Sequence, residues 1–233
     1  MVSSKLVGLL KFFRKEERLD QLIDGLLYCN TPESYRLSGM EGVGDPNESC
    51  VHSYRESRGD VQATFEIDGH ALEGLTAVTI HMGERKDMWL HCWFALDMPT
   101  NDDELIMLVD DLNCVRKAFG RHYAFLPRGS LTEFVNRVRL LYDGDFDRGR
   151  VLYSDDTKKW SVGCKSNAYS YQREYRFGFG QCKTTSTKAL PLAYDAGFSD
   201  LLMKNPSIRA TGTETKNVWF HLDKNDCYCN PDS

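Results

Sequence analysis

Ser170-Tyr171-Gln172-Arg173-Glu174-Tyr175-Arg176 is the stretch on which the fold turns. From Glu174 onward, Tyr175, Phe177 and Phe179 alternate with Arg176, Gly178 and Gly180. That two-residue period marks a strand with one face in a core. Carried backwards, the alternation puts Gln172 and Glu174 on the same side, so that an amide and a carboxylate face one cleft. The plainer alternative is that Glu174 pairs with Arg173 or Arg176 on a solvated strand face.

At the other end of the chain, residues 6–13 are apolar and aromatic and predict an opening strand, closed by Phe12-Phe13-Arg14. Folding that joins the two ends supplies an arginine and a glutamate to a single cleft. Between them, Leu19, Leu22, Ile23, Leu26 and Leu27 recur at three and four residues and predict a helix over 16–27, ending near Gly25. A strand over 26–30 follows, then a short helix entered through Thr31-Pro32. Residues 38–60 have no usable period and read as a long loop. Strands are expected over 61–67, 75–82 and 88–96, with Asp68-Gly69 as a hairpin turn. Asn101 or Asp102 caps a long helix to Phe119, stopped by Gly120. Ser130-Leu131-Thr132-Glu133 opens a second helix to about Tyr142 as a capping box. Strands over 123–126, 151–153 and 218–222 and a short helix over 195–203 complete the expectation. It describes a single α+β domain over 1–222, with a mixed or antiparallel β core, an N-terminal βαβ and two longer helices; 223–233 is a polar, frayed tail.

The chain has 233 residues, 41% of them apolar, enough for one sizeable core. Its net charge of -5 argues against holding nucleic acid mainly by phosphate neutralisation. The eight cysteines are scattered and read as mostly free thiols. Cys227-Tyr228-Cys229 with His221 invites zinc, but its gap of one residue falls short of the roughly two to four of common zinc knuckles. No apolar run is long enough to span a bilayer, so a soluble, cytoplasmic protein is expected, with no membrane partner.

An aromatic strand bearing Arg14, a helix, a Gly25-Leu26-Leu27 turn into a second strand and a late Gln172-Arg173-Glu174 together resemble the ADP-ribosyltransferase fold. In that family an early strand supplies Arg or His and a late strand supplies Glu, often as Gln-x-Glu. Asp45-Pro46, Met88-Trp89-Leu90-His91 and Tyr171-Gln172-Arg173-Glu174-Tyr175-Arg176 are also similar to a loose set of uncharacterised bacterial proteins associated with toxin and phage-defence functions. The resemblance implies transfer of ADP-ribose from NAD, as substrate, to RNA, DNA or protein, by an intracellular toxin or anti-phage effector that an antitoxin or regulatory protein restrains. Glu174 is then the residue that steadies the ribosyl cation, and Gln172 orients the acceptor. Arg14 holds the pyrophosphate, Tyr28 or Tyr35 stacks on nicotinamide, and Ser170 bonds a ribose hydroxyl. No metal is expected. The competing expectations are a non-catalytic protein- or nucleotide-binding module using 169–176 and 52–58, and a metal-dependent hydrolase or nuclease using Asp45, Glu48, His52 and His91.

Overall fold

Leu6–Phe13 reads as a nearly unbroken apolar run because the strand it forms, β1, is covered on both faces. The structure, a computed structural model, describes residues 5–61, 64–84, 86–212 and 217–230. Its spine is a six-stranded sheet of β1, β2 (Trp89–Asp97), β3 (His122–Pro127), β4 (Phe146–Arg150), β5 (Glu174–Phe179) and β6 (Met203–Lys204). Their spatial order is β6-β3-β1-β2-β5-β4, and each neighbouring pair is antiparallel.

The helices are α1 (Glu16–Ile23), the short α2 (Pro32–Arg36) entered through Thr31, α3 (Asp102–Phe119) and α4 (Leu131–Arg139). Alternate residues of the strands feed two cores. On one face Leu9, Trp93, Ala95 and Phe177 pack with α1 and α4 through Leu19, Leu22, Phe134 and Val138. On the other, Leu10, Phe12, Phe94 and Leu96 pack with α3 through Leu105, Leu108, Leu112 and Val115. The chain is thus a mixed α+β unit with mostly antiparallel sheets and few helices. No described helix is long and apolar enough to cross a membrane.

The long helix starts and stops where its sequence says. Asn101 Oδ1 accepts from Glu104 N at 2.8 Å, and the chain leaves the helix through Gly120 at φ +105°. A Cβ there would lie 2.3 Å from Phe13 O, so only glycine fits. Asp68 and Gly69 both have positive φ and turn Phe65–Ile67 into His70–Leu72 as expected.

Other expectations are corrected. Leu26–Cys29 does not complete a βαβ; it pairs antiparallel with Leu190–Ala193, outside the central sheet. The loop over 38–60 contains a strand, His52–Arg55, paired with Ala77–Ile80. No helix forms over 195–203; Phe198, Leu201 and Leu202 are buried from turns, and Met203–Lys204 joins β3. Ser130 makes no side-chain cap, and Glu133 instead pairs with Arg137 at 2.8 Å. The tail is not all frayed, because Cys227–Cys229 pairs with Val218–Leu222.

Candidate functional site

β1 and β2 stay paired only as far as Leu10 opposite Phe94. Beyond that point β2 runs on to Trp89 beside β5, while Asn30 replaces β1 at its other edge through Asn30 N to Leu90 O at 2.9 Å and the reciprocal bond at 2.7 Å. Cys92 sits in the resulting fork. Its carbonyl, which β1 no longer partners, accepts from Lys11 Nζ at 2.7 Å. The fork opens on a chamber of about 70 Å³. Leu10, Phe12, Phe94, Val115 and Phe119 give it apolar walls; Lys11, Tyr35, Glu48, Lys165, Gln172, Glu174 and Arg176 give it polar ones.

Gln172 and Glu174 do meet, but not by strand spacing. Gln172 ends a 3-10 helix, Asn167–Gln172; Arg173 takes a left-handed φ of +41°, and β5 begins at Glu174. Lys165 Nζ gathers them, donating to Gln172 Oε1 at 2.9 Å and Glu174 Oε1 at 3.0 Å. Arg173 leaves the site for Asp111 Oδ2 at 2.7 Å. Arg176 stays, with Nε on Glu174 Oε2 at 2.6 Å and its Nη atoms on Glu48 at 2.8 and 3.0 Å. Lys165 also lies 3.2 Å from Glu48 and 3.7 Å from Asp45. The alternative pairing of Glu174 with Arg176 holds, but in the interior and not on a solvated face, since Glu174 is only 8% exposed.

Burial alone would push the Glu174 carboxyl up, but the charges of Arg176 and Lys165 outweigh it and hold it below the ordinary carboxylate range. The same balance holds Glu48 down. Burial wins at Asp45, which with Glu48 beside it is pushed up to about 6. Burial also pushes the Cys92 thiol up to about 11, so it stays protonated at neutral pH, and pushes the Tyr35 phenol well above its ordinary value.

The fold therefore brings Glu174, Gln172 and Tyr35 to one chamber and leaves three expected residues outside it. Arg14 is exposed; it donates to Ala118 O at 3.1 and 2.7 Å at the end of α3 and to Met40 Sδ at 3.1 Å. It borders a separate groove of about 500 Å³ that it shares with Gly42, Lys117 and Tyr171. Tyr28 is 51% exposed under the Arg18 guanidinium, and Ser170 is exposed; neither lines the chamber. Of the four residues of the metal alternative, Asp45 and Glu48 reach the cluster around Lys165. His52 is exposed on its strand, and His91 accepts from Trp93 Nε1 at 2.8 Å, burial driving its pKa well down. Among the described residues, no three His, Cys, Asp or Glu side chains are grouped to hold a metal. None of the eight cysteines is in a disulfide.

Sequence reasoning missed Lys11 and Lys165, and set Arg176 beside Glu174 only as an ion pair on a solvated face. For Arg176 the signal was present: two residues after Glu174 on a strand, it shares that residue's face. Lys165 carried no signal, since it arrives from a two-residue strand, Cys164–Lys165, inside a polar stretch. Compared with known proteins, the chain matches no family model, no curated protein and no solved structure.

Proposed function

We propose that the forked-sheet chamber is the reaction site of an NAD-dependent ADP-ribosyltransferase that passes ADP-ribose to a nucleic acid or a protein, acting inside the cell as a toxin or anti-phage effector. The supporting observation is Glu174, a buried carboxylate kept ionised by two cations at the polar end of a chamber with aromatic walls. In the reaction the bond between ribose C1′ and the nicotinamide nitrogen breaks, and its electron pair leaves with the ring as neutral nicotinamide. Positive charge at C1′ is steadied by Glu174 until an acceptor nucleophile bonds to that carbon and gives up its proton. Gln172, held by Lys165 and donating Nε2 to Gly42 O at 2.8 Å, is fixed to orient the acceptor.

Ligand sites typically occupy roughly 300–1,000 Å³, more than the chamber holds. The chamber and the Arg14 groove lie on either side of one turn, with Val43 lining the first and Gly42 the second. Swinging that turn outward joins them, and the Arg14 guanidinium then lies along the path of a pyrophosphate.

Labelled NAD incubated with the protein and cellular RNA, DNA and protein is expected to label one acceptor class. Glu174→Gln should lower the rate at least about a hundredfold without unfolding the chain. Equal rates would remove Glu174 from the chemistry. The non-catalytic alternative is favoured by one observation: both oxygens of Glu174 are already ion-paired. In that case NAD raises the melting temperature and is recovered intact.

A further inference from the structure

Around the chamber three cations face three carboxylates, but the carboxylates are not shared evenly among them. Lys165 is met by Asp45, Glu48 and Glu174, and Arg176 by Glu48 and Glu174. Lys11 differs from both. Among the described residues no carboxylate lies within ion-pair distance of its ammonium, whose one hydrogen bond goes to the neutral Cys92 carbonyl. An ammonium has three protons to give, so two stay available on a half-buried cation. The nearby thiols provide no counter-charge, because burial pushes Cys29 up to about 12 and Cys92 up to about 11. A cation drawn out of water without an anion is costly, and a ligand that brings the anion relieves that cost.

The rest of the lining specifies the ligand's body. Leu10, Phe12, Phe94, Val115 and Phe119 present apolar and aromatic surface with nothing to hydrogen-bond. At about 70 Å³ the chamber has roughly half the ~150 Å³ that admits a benzene ring. As it stands the chamber has room for the acidic head, and the ring needs the turn at Val43, one of its walls, to swing outward.

We propose that Lys11 anchors an acidic head group, making the chamber a site for a flat aromatic monocarboxylate and biasing the enzyme toward substrates whose leaving ring carries a carboxylate in place of a carboxamide. The bias toward such substrates rests on the transferase reading; the binding site does not. Lys11 is a specificity-determining residue here, reaching the ligand from β1 while Glu174 acts from β5 across the fork. The competing role for Lys11 is purely structural, as the donor that satisfies the Cys92 carbonyl where β1 departs.

Calorimetric titration of the full chain at pH 7 with two matched pairs, nicotinate against nicotinamide and benzoate against benzamide, separates these roles. Each acid is expected to bind at least about tenfold more tightly than its amide. Lys11→Met should abolish that preference, and Lys11→Arg should retain part of it. Reductive methylation with ¹³C-formaldehyde gives Lys11 a resonance, assigned by its loss in Lys11→Arg, that nicotinate should shift in the wild-type chain; this arm decides the matter if Lys11→Met fails to fold. Equal binding of acid and amide, no binding of either acid, or a preference that survives Lys11→Met overturns the proposal. Acid binding without NAD turnover removes the transferase and leaves this site; turnover without acid preference does the reverse.

Discussion

Two clusters of buried ions lie within reach of one another and are made of the same residue types. In the first, Glu33, Arg36, Arg55 and Asp87 pair two cations with two anions, and none of them lines the chamber. In the second, Lys165, Arg176, Glu48 and Glu174 border a void that also receives Lys11, and Asp45 lies behind them at 3.7 Å from Lys165. Burial and charge are common to both. The empty volume, and a lysine with no carboxylate within ion-pair distance among the described residues, belong to one. The sealed cluster nonetheless serves the open one: Arg36 Nε donates to Glu48 O at 3.0 Å and so holds the backbone of a chamber carboxylate.

Breaking the sealed cluster is expected to have the largest effect on stability. Arg36 is fully buried and grips both oxygens of Asp87 at 2.8 Å, with further bonds to Glu33 and Thr184 O. Arg36→Met strands Asp87 in the interior and should cost about 3–5 kcal/mol, read as a lowered urea midpoint. Adding Asp87→Leu should recover part of the loss, since an apolar pair can replace a buried ion pair. A loss under about 1 kcal/mol for Arg36→Met would mean that water reaches the cluster and that the two regions are not distinct.

The two clusters also differ in how far the sequence disclosed them. β1, β2, α3 and β5 were legible because alternation and capping are local signals. The chamber's carboxylates were half legible: Gln172 and Glu174 were expected together, but through strand spacing, whereas the left-handed Arg173 and Lys165 unite them. Asp45 and Glu48 lay in a Gly- and Pro-rich loop and read as turn chemistry, because the chain that neutralises them comes more than a hundred residues later. β4 was hidden for a different reason. As an edge strand reading Phe-Asp-Arg-Gly-Arg it carries charge where a central strand carries apolar residues, and so shows no period. The short helix expected over 195–203, ahead of Asn205-Pro206, is replaced by turns that bury Phe198, Leu201 and Leu202.

Asp45 tests the open cluster from the side of charge. Its folded pKa of about 6 exceeds the ordinary value, so the folded state binds this proton more tightly than the unfolded one. Its contribution is full below about pH 4 and is lost as pH rises through about 6. Asp45→Asn keeps an oxygen for Asn47 N and has no charge to bury. At pH 8 it should be more stable than wild type by on the order of 1–3 kcal/mol, with the gap about halved at pH 5 and closed by about pH 4. Glu48 and Glu174 have the opposite sign: their stabilisation is present above about pH 4.5 and is lost as pH falls further. Urea unfolding at four pH values separates the two, and a gap that does not vary with pH would mean that Asp45 is not titrating as its surroundings require.

The smallest effect concerns the turn between the chamber and the Arg14 groove. Gly42 has a φ of +77°, and a Cβ there would lie 2.7 Å from Ala118 Cβ and 3.2 Å from Tyr171 Oη. Gly42→Ala therefore adds left-handed strain of about 1 kcal/mol and a clash with α3, which is relieved by moving the turn away from the helix. The move draws Gly42 O away from Gln172 Nε2 and loosens the bonds from Val43 N and Gly44 N to Met40 O, now 3.1 and 2.9 Å. Amide exchange of Val43 and Gly44 is expected to quicken several-fold, while the amides of β2 and β5 stay protected. If the variant also binds NAD more tightly, the turn is the wall that a dinucleotide must displace. If exchange quickens and NAD binding is unchanged, the wall yields but is not the entrance, and the contrast between a sealed and an accessible cluster must rest on the Lys11 side of the fork.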